Sequence, residues 1–290
     1  MLGVAEGGVA FSQVDAFTER VFGGNPAGVC LLDGPAAEVS WLQAVANELN
    51  LPATAFVWPL GDTFRVRWFS PTTELALCGH GTLATAHVLL ERGLAPADGR
   101  LRFETQAGLL SARGHDGWIE LDVPAEPSQP AELPPALMQA LHGTAFQTVE
   151  RNRFDYLVEL PSEAAVRTAT PDLVHLRAVA TRGLILTARA ETVAGDFVSR
   201  FFAPSVGIDE DAVTGSAHCC LGPYWQRRLG RSELVGVQLS RRGGVVRVQT
   251  GGERVRLAGQ AVTVLSGTLA AAAARHSLTL AGTRDTAERY

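Results

Sequence analysis

Two short loops carry most of the residues that could do chemistry. The first is Cys78-Gly79-His80-Gly81-Thr82, and the second is Asp211-Ala212-Val213-Thr214-Gly215-Ser216. Glycines let backbone N–H groups approach a ligand closely. His80 can donate a hydrogen bond or move a proton near neutral pH. Asp211 is a candidate proton carrier and Ser216 a candidate ligand-holding hydroxyl. Each loop opens an apolar helix, where free N–H groups and the helix dipole favour negative charge. The combination suits proton transfer on a small carboxylate. Each loop also has a plainer reading. Gly79 and Gly81 would form a tight turn with His80 as a cap, and Asp211, Thr214 or Ser216 would cap the second helix.

The other candidates are weaker. Cys78 is either a thiolate favoured by a helix N-terminus or a small buried apolar residue. Cys219, Cys220 and His218 fall inside the second apolar helix and read as core. Asn25, in Gly24-Asn25-Pro26, is a turn former first and a ligand contact second. The remaining histidines do not cluster and no C-x-x-C occurs, so no metal or cofactor is expected.

The elements that position the loops repeat. Arg67-Trp68-Phe69-Ser70-Pro71 precedes the first loop and Arg200-Phe201-Phe202-Ala203-Pro204 the second. Pro71 and Pro204 lie 133 residues apart, and Gly79 and Gly215 lie 136 apart. A near-constant offset implies two similar halves. Leu83–Leu90 and Ser216–Leu229 are apolar on nearly every side, so sheet must surround each helix. The expected fold is α+β: two pseudo-symmetric lobes, each a β-barrel around a central α-helix, with the active site in the cleft between them. The expected boundaries are 1–124 for the first lobe, which a C-terminal strand could complete, 125–275 for the second, and 276–290 for a tail. The Pro-, Ala- and Glu-rich stretch Pro124–Pro135 reads as the crossing between halves. Ser40 with Gln43 has capping-box form before a short amphipathic helix.

Composition narrows the class. Of 290 residues, 46% are hydrophobic and 19% charged, which favours a large core over disorder. Every residue in the Lys+Arg count is Arg, net charge is −5, and no basic run occurs, so nucleic acid is an unlikely partner class. There is no 18-residue apolar stretch. Met1–Gly8 lacks a positive segment and carries Glu6, which argues against a secretory signal. A reduced, cytoplasmic protein is the expectation.

The motifs Val14-Asp15-Ala16-Phe17, Gly24-Asn25-Pro26-Ala27, Arg67–Thr82 and Phe201–Tyr224 resemble the PhzF-like phenazine-biosynthesis isomerases, over about Phe11–Leu265. Those proteins share their architecture with diaminopimelate epimerase and proline racemase. The resemblance implies cofactor-free proton chemistry on a small carboxylic acid, and a homodimer. It places His80, Asp211 and Ser216 on the substrate, with backbone N–H groups at Gly79, Gly81 and Gly215, and Asn25 and Cys78 at substrate-binding positions. Val213 stands where the related epimerases keep a second thiol, which counts against a two-cysteine mechanism. One departure matters more. The family reads Asn-Leu-Ser-Glu-Thr where this chain reads Asn50-Leu51-Pro52-Ala53-Thr54, so Ala53 replaces the general-base glutamate. Glu74 matches a family position but becomes a base candidate only if geometry supports it.

The readings that follow are an isomerase-type enzyme of altered mechanism, a carbon–carbon hydrolase of an alkylproline-type antibiotic pathway, and a non-catalytic carboxylate binder. A racemase is a further reading and would show thiol sensitivity at Cys78.

Overall fold

The computed structural model describes residues 8–35 and 38–270, so the expected tail at 276–290 lies outside the described residues. The chain forms two compact units. The first contains Pro26–Arg113 with segments ending at Val14 and starting at Thr263; the second contains Asp15–Asn25 and Gly114–Val262.

In the first unit β1 (Val9–Ala16) pairs with β2 (Asn25–Leu31). After α1 (Val39–Leu49) come β3 (Ala53–Leu60), β4 (Thr63–Phe69) and β5 (Glu74–Leu75). Then follow α2 (Gly79–Glu91), β6 (Arg100–Thr105) and β7 (Gly108–His115). α2 buries Leu83, Ala84, Ala86, Val88 and Leu89 and packs against β3. It stops where Gly93, at φ +66°, donates its N–H to Leu90. Glycine adopts that left-handed geometry without strain.

The second unit begins with β8 (Trp118–Pro124), β9 (Gln129–Pro130), α3 (Pro135–Ala140), β10 (Thr148–Arg151) and β11 (Asp155–Glu159). Next are α4 (Glu163–Thr168), α5 (Leu173–Arg177), β12 (Gly183–Arg189), β13 (Phe197–Ala203) and β14 (Ile208–Asp211). α6 (Gly215–Leu229) leads into β15 (Glu233–Gln238), β16 (Gly244–Gly251) and β17 (Arg254–Gly259). β18 (Ala261–Leu269), which runs from Thr263 onward in the first unit, pairs with β1. α6 packs against β15, β16 and β17. Its Trp225 stacks on Phe197 and donates Nε1–H to Thr187 at 3.0 Å, so the buried ring keeps its polar edge satisfied.

The strand pairings confirm the internal repeat. In the first unit β2–β3 is parallel, β3–β4 and β4–β5 antiparallel, β4–β6 parallel and β6–β7 antiparallel. In the second, β11–β12 is parallel, β12–β13 and β13–β14 antiparallel, β13–β15 parallel and β15–β16 antiparallel. α2 falls between β5 and β6, as α6 falls between β14 and β15. Matched registers make Ala53 the counterpart of Gly183, because Thr54 pairs with Phe69 as Leu184 pairs with Phe202.

Three expectations change. The capping box at Ser40 does not form: Glu38 is the N-cap, Ser40 bonds the Glu38 carboxylate, and Gln43 donates to Ser70 O at 2.9 Å. Pro124–Pro135 is not a loose crossing. Its amides at Ala125 and Glu126 donate to Glu253 and Cys219, and β9 pairs with β10. The division between units falls after Arg113, not after residue 124, because β8 pairs along its length with β17. β3 escapes the sequence pattern because its first six residues, Thr54 included, are all buried, so burial does not alternate along it.

Gly222 tests the packing of α6. A Cβ there would lie 2.6 Å from Val248 Cγ1. Alanine normally improves a helix interior by about 1 kcal/mol over glycine. The stiff valine on β16 makes overpacking the larger effect, at roughly 1–3 kcal/mol. Gly222→Ala therefore lowers the urea midpoint; a raised midpoint would contradict this packing.

Candidate functional site

The first loop is built on β4, β5 and the start of α2. Cys78 is the extended N-cap, so His80 is the second helical residue and not the cap. The Cys78 sulfur lies 3.6 Å from His80 Nδ1, which makes the two side chains a thiol–imidazole pair. Gly81 is required by its surroundings: a Cβ would sit 2.8 Å from Trp68 Cδ1 and 3.0 Å from the Cys78 sulfur. Thr82 donates to Cys78 O at 2.7 Å and pins the first turn.

Glu74 is not available as a base. Arg67 grips both its carboxylate oxygens at 2.7 Å. Those hydrogen bonds hold its carboxyl below the ordinary carboxylate range despite partial burial. The repeat explains the pair: Arg200 grips Glu210 in the same way across β13 and β14. Both pairs brace a strand against the short strand beside it. Ala53 starts β3 fully buried opposite Ala27, and the neighbouring Thr54 hydroxyl is buried without a partner.

The second loop fixes a carboxylate. Asn25 donates Nδ2–H to Asp211 Oδ1 at 2.7 Å and to Val213 O at 2.8 Å. The Thr214 hydroxyl donates to Asp211 Oδ2 at 2.6 Å. Thr214 is the N-cap of α6, yet no side chain caps the helix there. Asp211 therefore does not serve as a cap. Gln238 bridges the loop, accepting from Thr214 N–H at 2.9 Å and donating to Asp211 O at 2.8 Å. Asn25 is wholly buried, and its Oδ1 has no partner. The turn before it is tied by Arg242, which donates to Gly23 O, Gly24 O and Asp15.

Ser216, half-buried in the first turn of α6, accepts a hydrogen bond from Arg182 Nη1 at 3.1 Å. The same guanidinium forms a bidentate pair with Asp155, whose side chain is wholly buried. Burial alone would lower the Arg182 pKa, but Asp155 outweighs it and the net shift is upward. Sequence reasoning missed Arg182. It lies 34 residues from Ser216, in a loop without a motif.

His218, Cys219 and Cys220 are core. Burial pushes both thiols up to about 12. His218 Nδ1 donates to Thr214 O at 2.8 Å, and its Nε2 is buried without a partner. This bond is the counterpart of that from Thr82 to Cys78 O in α2. A surface cleft of about 400 Å³ near Trp118 and Arg247 includes none of these residues. Among the described residues no group of three His, Cys, Asp or Glu could hold a metal ion, and no helix is long and apolar enough to cross a membrane.

Two topologically matched units, each with a small-residue loop opening a buried helix, define a duplicated architecture of mixed helix and sheet. The chain belongs to the phenazine biosynthesis-like protein family (PhzC-PhzF), whose profile matches residues 14–267. It is 48% identical over 257 residues to an uncharacterized isomerase of Pseudomonas aeruginosa, covering 89% of this chain and 97% of that one. An uncharacterized isomerase of Halalkalibacterium halodurans is 47% identical over 253 residues, covering 87% and 95%. The crystal structure of a PhzF-family protein from Enterococcus faecalis superposes with a TM-score of 0.85 at 37% identity, covering 91% of this chain and 99% of that one.

Two outcomes test this geometry. Asn25→Ala removes two buried donors and leaves the Val213 carbonyl and Asp211 Oδ1 without them, so it destabilises the protein by about 1–3 kcal/mol in urea unfolding. An unchanged midpoint would contradict the clamp. Burial holds His218 down to about 4 from its ordinary 6.5. The unfolded chain then binds a proton first as pH falls. The stability from neutral His218 is full above about pH 6.5 and is lost progressively down to about pH 4, a loss of roughly 3 kcal/mol. His218→Gln should flatten that slope; a slope equal to wild type would contradict the assignment.

Proposed function

We propose that the protein is a cofactor-independent enzyme of isomerase type acting on a small unsaturated amino or carboxylic acid. The observation that carries this reading is the Asp211 carboxylate, held on one oxygen by Asn25 and on the other by Thr214, and not used to cap the helix beside it. A clamped, half-buried carboxylate at the entry to α6 is suited to moving a proton at a fixed place. Family membership and the isomerase names of the relatives support the reaction class.

Ala53 offers no proton carrier at the family's base position, and Glu74 is held by Arg67. In this reading the second proton group is His80, with the Cys78 thiol beside it at 3.6 Å. An imidazole can take a proton from carbon and return it. Ser216 and the first-turn amides of α6 hold the anionic group.

The test follows a set of small unsaturated amino and carboxylic acids, including 2,3-dihydro-3-hydroxyanthranilate, by proton NMR in deuterated water. Wild type moves a double bond or exchanges a carbon-bound proton in at least one acid. Asp211→Asn and His80→Gln each slow that step by about 10²–10⁴-fold. If wild type converts nothing while Ala53→Glu gains isomerisation, the protein is a binder on this scaffold. Water-dependent carbon–carbon cleavage without proton exchange would support the hydrolase reading instead.

A further inference from the structure

We infer that Arg182 is a positioning residue that occupies one lone pair of Ser216 Oγ, biases the hydroxyl toward donation and so favours ligands presenting an anionic acceptor to it. The inference rests on the small-carboxylate reading above and extends it to a residue and a hydrogen-bond polarity.

The guanidinium is built into place. Its Nε–H and Nη2–H bind the two oxygens of Asp155, which is 1% exposed at the start of β11. Its carbon lies 5.1 Å from the Phe154 ring centroid and 5.4 Å from that of Phe201. Its own backbone N–H donates to Phe154 O at 2.8 Å, and its carbonyl accepts from Ser205 at 2.9 Å. The next residue must be glycine, since a Cβ on Gly183 would lie 2.4 Å from the Phe201 ring. Side chain, backbone and neighbour all fix one direction.

That direction ends at Ser216. Arg182 Nη1–H points at Ser216 Oγ, and arginine can only donate. One lone pair of the serine oxygen is thus engaged, and the guanidinium beside it disfavours a cationic donor at the other, so the hydroxyl proton is the feature best placed to meet a ligand. A carboxylate or enolate oxygen can accept that proton; an ammonium group cannot. The guanidinium stays protonated, but its charge is balanced by Asp155, so what reaches the first turn of α6 is a directed N–H donor. The repeat adds an independent reason. Gly183 is the counterpart of Ala53, and Arg182 therefore occupies the counterpart of Pro52. The second unit uses the start of this strand to reach the first turn of its buried helix.

The experiment compares 2-aminobenzoate with 2-aminobenzamide, a neutral analogue, by isothermal titration. Arg182→Gln alone would leave Asp155 buried and unpaired, so the main variant is Asp155→Asn with Arg182→Gln, which replaces the ion pair by a neutral one. Its urea midpoint reports folding, and Arg182→Lys is a second, milder variant. Wild type prefers the carboxylate. The neutral-pair variant loses at least tenfold of that preference, Arg182→Lys restores part of it, and adding Ser216→Ala to the neutral-pair variant costs little more. A preference within twofold of wild type in both the neutral-pair and the lysine variants overturns the inference alone. Wild type binding both compounds equally also overturns it, while leaving the isomerase reading in place. Wild type binding neither compound, nor any acid of the exchange test, overturns both.

Discussion

A helix that is apolar on nearly every side cannot face water, and this constraint shapes the protein twice. α2 buries eight of its 13 residues and packs against β3, and α6 buries nine of its 15 and packs against β15, β16 and β17. Each helix begins shortly after a short strand. The strand before it must turn sharply, and small residues fill the turn: Gly79 and Gly81 in one unit, Gly215 in the other. The hydrogen bonds of the first turns match as well. Thr82 bonds Cys78 O, and His218 bonds Thr214 O. Position by position, His80 and Ser216 are counterparts on the two helices. The duplication supplied two equivalent places, and different side chains then took them.

Divergence is clearest beside those helices. Glu74 and Glu210 remain alike, each gripped by an arginine from the preceding strand. The residue after each differs: Leu75 in the first unit and Asp211 in the second. Only the second unit keeps a carboxylate there, and only there do Asn25 and Thr214 converge to fix one. In the same way the strand start that carries Pro52 and Ala53 in one unit carries Arg182 and Gly183 in the other. The conserved pairs brace the scaffold, and the unmatched residues are the ones free to acquire chemistry.

Much of this was legible in the sequence. The two apolar helices, their glycine stops and the offset between the loops are local signals, and the structure contains them. The loops announced themselves because glycine, proline and small polar residues cluster there. What stayed hidden depends on contacts distant in the chain. Asn25 reads as a turn residue, and nothing near it reveals its bond to Asp211, 186 residues away. Arg182 has no motif around it; only the paired strands show that it approaches Ser216. The Ser40–Gln43 pattern misled because Gln43 finds a better partner in Ser70 O on the neighbouring loop. Pro124–Pro135 looked like a linker by composition, although its backbone donors are consumed by the second unit.

The central claim is that the clamped Asp211 and the hydroxyl of Ser216 act on one small acid. A crystal structure with 2-aminobenzoate bound tests it most directly. The account predicts a carboxylate oxygen within hydrogen-bond distance of Ser216 Oγ and a first-turn amide of α6, with a ring carbon or the amine in reach of Asp211. A ligand seated away from both residues, or one that turns its amine toward Ser216, would contradict it.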